Sequence, residues 1–274
     1  MFSHFVIASN DPADRAAFYD AVLPLLGYAR QPGDPAELAY AHRSGLPWIV
    51  VARPNDGRPA EPGNGYHLAF HASDEKTVQA FHKAALAAGG RDEGGPGLRP
   101  HYAEDYYAAY VRDPDGNKLQ AVTYPKGRKA GPGGTEISHL TLGSDDLTRA
   151  AAFYRAVLAP FGLARLPEEE SEAEDVAFGH PGCALPVIFP QNAFDGRPAK
   201  PPHGSIPVLS AANRAAVEAF HLAGLDHGGQ TLAEPGVRAD ALSRAGQPQG
   251  FSAGLADPDG NPLFARCATA RPAG

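Results

Sequence analysis

The chain has 274 residues, 43% hydrophobic and 20% charged, with a net charge of −7 at pH 7 and a pI near 5.9. That balance suits a globular fold and offers no basic surface for nucleic acid or acidic lipid. No apolar run approaches the roughly 18–20 residues that cross a bilayer, and the start MFSHFVIASND lacks the basic stretch of a signal peptide, so the expected location is cytoplasmic.

In chain order, HFVIAS (4–9) reads as a strand. Asp11-Pro12 then supplies an N-cap and a first-turn proline, and Arg15, Phe18, Tyr19, Val22, Leu23 and Leu26 fall on one helical stripe. Two short strands follow near 37–42 and 46–52, then the loop RPNDGRPAEPGNG. The order restarts with a strand at 66–72 and a helix from about 74 to 88 closed by Gly89-Gly90. A strand at 106–112, the turn DPDGN and a strand at 118–124 complete the unit.

The whole pattern is then repeated. AFYDAVLPLLG at 17–27 returns as AFYRAVLAPFG at 152–162, and Ser3–Arg30 aligns with Ser138–Arg165 without a gap. DGRPA, VQAFH/VEAFH and DPDGN recur in the same order, which indicates duplication of a whole domain. The expected boundaries are 1–124 and 137–268, with a linker at 125–136 and a tail at 269–274. Cys183 and Cys267 form no metal knuckle and read as buried thiols.

Strand parity puts His4, Val6 and Ala8 on one face, and His67, Ala69 and His71 on one face. A five-residue hairpin at DPDGN sets Tyr110 opposite Gln120. The segment GLRPHYAEDYYAAY (97–110) gathers Arg99, His101, Tyr102, Tyr106 and Tyr110 and reads as a pocket wall or lid. Arg99 suits a substrate carboxylate or phosphate and His101 proton transfer, while Trp48 is a candidate cavity wall. GGPG (94–97) and GPGG (131–134) lack the Lys-Ser/Thr of a phosphate loop.

His4 on the first strand, AFYDAVLPLLG, NGYHLAF and DPDGN followed by KLQAV together resemble the vicinal oxygen chelate superfamily, which includes glyoxalases, extradiol dioxygenases and bleomycin resistance proteins. The resemblance covers 2–124 and 137–268. It implies an α+β fold of four βαββ(β) units forming two tandem half-barrel domains. It also implies a divalent metal (Fe, Mn, Ni or Zn) chelated by two neighbouring substrate oxygens. The family's ligand positions fall on His4, Val50, His67 and Gln120 in copy one, and on His139, Phe189, Ile206 and Phe264 in copy two. The expected metal set is therefore His4, His67 and Gln120, with His101 or His71 moving protons and Trp48, Arg99, Tyr102, Tyr106 and Tyr110 binding substrate. His139 alone cannot hold a metal, so copy two reads as a structural partner with a filled core around Gly254 and Phe264. The expected function is a metal-assisted small-molecule enzyme, monomeric or homodimeric. The alternative is metal-free sequestration of a drug or metabolite, in which Trp48 and the tyrosines matter and the histidines do not.

Overall fold

The computed structural model describes residues 2–124, 136–166, 176–182 and 187–268. Most of the expected linker, the C-terminal tail and Cys183 lie outside the described residues. Four βαβββ units follow one another. The first comprises β1 (Phe2–Ala8), α1 (Pro12–Val22), β2 (Tyr28–Arg30), β3 (Glu37–His42) and β4 (Trp48–Ala52). The second comprises β5 (His67–His71), α2 (Glu75–Ala87), β6 (Arg91–Leu98), β7 (Tyr107–Arg112) and β8 (Lys118–Thr123). The third holds β9 (Ile137–Gly143), α3 (Leu147–Leu158), β10 (Ala164–Arg165), β11 (Phe178–Gly179) and β12 (Ile188–Gln191). The fourth holds β13 (Ile206–Ser210), α4 (Arg214–Asp226), β14 (Gln230–Arg238), the one-turn α5 (Ala241–Arg244), β15 (Gly250–Ala256) and β16 (Pro262–Ala268).

The long helices start where side-chain caps permit. Asp11, Asp74, Asp146 and Asn213 each accept a hydrogen bond from the backbone N–H three residues on. Phe5, Ile7, Phe18, Val22, Leu68, Phe70, Val78 and Phe81 share the main apolar core with their counterparts in copy two. That core lies between the sheets, where α1 packs on α2 and α3 on α4. His4 and Val6 fall on the opposite face of the first sheet, and Ala69, Val122 and Tyr124 on the opposite face of the second, in separate small clusters or along a hollow.

The α+β class and the four-unit, two-half-barrel build are as the resemblance implies. The partnership of the units differs from the sequence expectation. The first sheet runs β14-β15-β16-β13-β1-β4-β3-β2 and the second β10-β11-β12-β9-β5-β8-β7-β6. Each half-barrel thus takes one unit from each copy, with β1 antiparallel to β13 and β5 antiparallel to β9.

The repeated motifs supply a physical reason. Tyr19 of AFYDAVL donates to Asp113 of DPDGN, and Asn117 Nδ2 of the same turn donates to the Ala8 carbonyl at 2.9 Å. Copy two repeats this with Tyr154 to Asp257 at 2.6 Å and Asn261 to the Gly143 carbonyl at 2.8 Å. These latches tie the two units of a copy together across the helix layer. The free edges of β1 and β5 are then left to pair with β13 and β9 of the other copy.

Candidate functional site

In the second sheet Tyr110 sits directly across from Gln120, as the turn length predicts. On the other side of β5, His67 lies opposite Thr141 and Ala69 opposite His139. The two imidazoles stand nearly perpendicular, with ring centroids 5.6 Å apart. His67 Nε2 is 3.1 Å from Gln120 Oε1 and 3.2 Å from Thr141 Oγ1, and Gln120 Nε2 donates to Tyr106 Oη at 2.5 Å. His139 Nδ1 is 3.0 Å from Ser138 Oγ, and Phe189 packs edge-on against the ring at 5.2 Å.

Burial sets the electrostatics of this cluster. Desolvation, helped by the neighbouring His139 and Lys118, holds the His67 pKa well below its ordinary value, and desolvation lowers that of His139 to about 3. Both rings are therefore neutral at pH 7 and offer lone pairs. Desolvation also pushes the Tyr106 and Tyr110 phenols upward, so both keep their protons.

The structure gathers His67, Gln120, Tyr106 and Tyr110 as expected neighbours. Tyr102, 45% exposed, and His101 form the rim, their rings 4.1 Å apart, and Tyr102 leads inward to Tyr106 at 5.1 Å. His71 lies at the far end of β5, stacked on Tyr124 at 6.5 Å. Arg99 reaches over Tyr110 while donating to the carbonyls of Leu98 and Gly95, so its own strand holds it in place.

Two expected members are elsewhere. His4 and Trp48 belong to the first sheet, so the trio His4, His67 and Gln120 does not converge. The unit exchange puts His139, which the sequence marks as structural, beside His67 in place of His4. Only the β5–β9 pairing reveals this, although His139 and His4 already match in the repeat.

The first sheet presents a different face. A cavity of about 470 Å³ is lined by His4 and Val6 from copy one and by Ile206, Arg238, Phe264 and Arg266 from copy two. Phe264 does not fill the face, contrary to the sequence expectation. Its ring lies against Gly254, where a Cβ would overlap it, and the space beside it stays open. Trp48 is outside the cavity, covered by Leu242 of α5, with Nε1 donating to the Gly45 carbonyl at 3.0 Å.

Desolvation lowers the His4 pKa to about 4, with Asp240 opposing and Arg266 assisting. The folded state thus prefers neutral His4, a preference fully expressed above the unfolded value near 6.5 and lost as pH falls from there towards 4. Urea unfolding between pH 7.5 and 4 is expected to show a smaller stability loss in His4→Gln than in the parent, by about 3 kcal/mol. Parallel curves for the two proteins would refute this.

These features define a half-barrel protein with a small-molecule-sized hollow in the first half-barrel. A family model described as the Glyoxalase/Bleomycin resistance protein/Dioxygenase superfamily matches residues 1–121. A glyoxalase/bleomycin resistance protein from Albidiferax ferrireducens is 38% identical, with 45% of this chain and 98% of that chain covered and a TM-score of 0.42. Glyoxalase I from Zea mays is 16% identical, with 97% of this chain and 92% of that chain covered and a TM-score of 0.68, a likeness of fold. No curated protein matches. The chain belongs to the glyoxalase/bleomycin resistance protein/dioxygenase superfamily. Among the described residues, no helix is long and apolar enough to cross a membrane.

Proposed function

We propose that this protein is a metal-assisted enzyme acting on a small molecule with adjacent oxygens, and that its reaction centre is the second half-barrel, shared by the two copies. The observation that carries the reading is the buried set His67, His139 and Gln120. His67 Nε2 and Gln120 Oε1 stand 3.1 Å apart, about the spacing of two neighbouring donors on one ion at roughly 2.1 Å each. Neutral imidazole is the form that ligates, and both rings are held neutral.

The donor set fits an ion, with a cost. Among the described residues no group of three or more His, Cys, Asp or Glu side chains is placed to hold a metal. An ion here would rely on two imidazoles and an uncharged amide, so its charge is not offset and its binding is weaker than with a carboxylate. A divalent ion so held would act as a Lewis acid towards a substrate oxygen.

The chain's own residues supply the rest. The protonated Tyr110 hydroxyl, half-exposed, can donate to a substrate oxygen. Tyr106 fixes Gln120 with Oε1 turned towards His67. Desolvation lowers the His71 pKa, leaving its ring unprotonated near neutral pH and able to accept a proton. His101, beside Tyr102 at the rim, would exchange protons with solvent.

Gln120→Glu is the direct test. The new carboxylate is expected to tighten divalent-ion binding by about tenfold or more, read by titration calorimetry with Zn²⁺, Ni²⁺ and Mn²⁺. Unchanged affinity for all three would remove Gln120 from the ligand set. A second reading, metal-free sequestration, is favoured by a separate observation. The open cavity lies in the first half-barrel, where Val50, Ile206 and Phe264 occupy the positions expected for metal donors.

A further inference from the structure

We propose that the first half-barrel is a metal-free binding site for an organic carboxylate with an apolar body, recognised by Arg238 and His4. This gives the second reading its ligand class and stands apart from the metal-assisted reaction in the other half-barrel.

Charge selects the ligand. Five arginines but only two carboxylates line the cavity, in a protein whose net charge is −7. Most of these arginines are matched locally: Arg266 with Asp240 at 2.5 Å, Arg244 with Glu37 at 2.7 Å, and Arg58 with Asp56 at 2.8 Å. Arg238 is not. Its only hydrogen bond among the described residues is to the Glu234 carbonyl of its own strand, leaving its charge uncompensated at the cavity wall. In the other half-barrel the corresponding Arg99 lies over the Tyr110 ring. Here the residue corresponding to Tyr110 is Gly254, and the Phe264 ring of the neighbouring strand takes up the space beside it.

His4 provides the second contact. It is buried at 2% exposure and lines the cavity, with Nδ1 3.2 Å from Ser3 Oγ and no partner for Nε2 among the described residues. That side of the ring is available to a ligand entering the hollow. Val6, Ile206 and Phe264, all half-buried, add an apolar stretch of wall available for contact. At about 470 Å³ the hollow is within the usual range for small-molecule sites. A guanidinium and an imidazole above an apolar floor suit a carboxylate joined to an aromatic or branched aliphatic body.

Calorimetric titration with phenylacetate, cinnamate and octanoate, each against its primary amide, tests the proposal. At least one acid is expected to bind once per chain, about tenfold or more tighter than its amide, with affinity falling as salt rises. Arg238→Gln and His4→Ala should each weaken that binding about tenfold or more. His67→Ala should leave it unchanged, because His67 serves the other half-barrel. Arg238 is half-exposed and bonds only within its own strand, so Arg238→Gln retains the fold and interprets His4→Ala should the latter unfold. Binding of no acid at millimolar concentration, equal binding of acid and amide, or retention in Arg238→Gln would each overturn the proposal. So would loss of binding in a folded His67→Ala protein.

Discussion

Replacing His139 by alanine is expected to strip the protein of its divalent ion, while replacing His4 leaves metal content unchanged. The two histidines occupy the same position in the repeat, each following a serine on the first strand of its copy. What separates them is the neighbouring strand. β9 pairs with β5 and brings His139 within 5.6 Å of His67, whereas β1 pairs with β13, where Ile206 stands at the position corresponding to His67. With only two imidazoles and an amide in the set, losing one imidazole removes the strongest remaining donors' support, so affinity should fall more than about a hundredfold. His67→Ala should match His139→Ala. Elemental analysis of the three variants, purified without chelator, decides the matter. Metal lost from His4→Ala and kept in His139→Ala would return the site to the first copy alone.

The second large effect concerns stability. Asp113→Ala is expected to cost about 3–5 kcal/mol, measured by urea unfolding. Asp113 is fully buried and accepts from Tyr19 Oη, Asn117 Nδ2 and the backbone N–H groups of Asp115 and Asn117. Alanine removes the shared acceptor of four donors, and only Asn117 Nδ2 keeps another, the Ala8 carbonyl. Tyr19→Phe removes one donor and keeps the ring, so it should cost only about 1–2 kcal/mol. The latch joins units in different sheets, so its loss weakens the interface between sheets and not just one hairpin. A cost for Asp113→Ala below that of Tyr19→Phe would mean the turn is held by other contacts.

Much of this was legible in the sequence because it is local. Strand parity placed His67 with Ala69 and away from Phe70, and the length of DPDGN set Tyr110 against Gln120. AFY and DPDGN recur together in both copies, and the Tyr–Asp bond between them gives the physical reason.

Partner choice was not legible. β1 and β9 have nearly the same sequence, so local pattern serves equally well whichever copy supplies the neighbouring strand. The observed exchange is reinforced where Glu61 pairs with His203 and Asn64 with Lys200 through backbone bridges beside the DGRPA loops of one copy and the other. The cavity was hidden for a related reason. VRADALSRAGQPQGF (237–251) carries no histidine or tyrosine, yet its α5 packs against Val50 and Ala52 of copy one, and Arg238 and Asp240 line the hollow.

Cross-strand disulfide formation tests the exchange of units most directly. Val6 and Ile206 are paired residues on adjacent antiparallel strands, a separation that a disulfide spans. In a background lacking Cys183 and Cys267, the pair Val6→Cys with Ile206→Cys should oxidise readily to a cyclised, faster-migrating chain. Val6→Cys with His67→Cys, the corresponding pair if each copy closed on itself, should not. Cross-linking of the second pair and not the first would contradict the account.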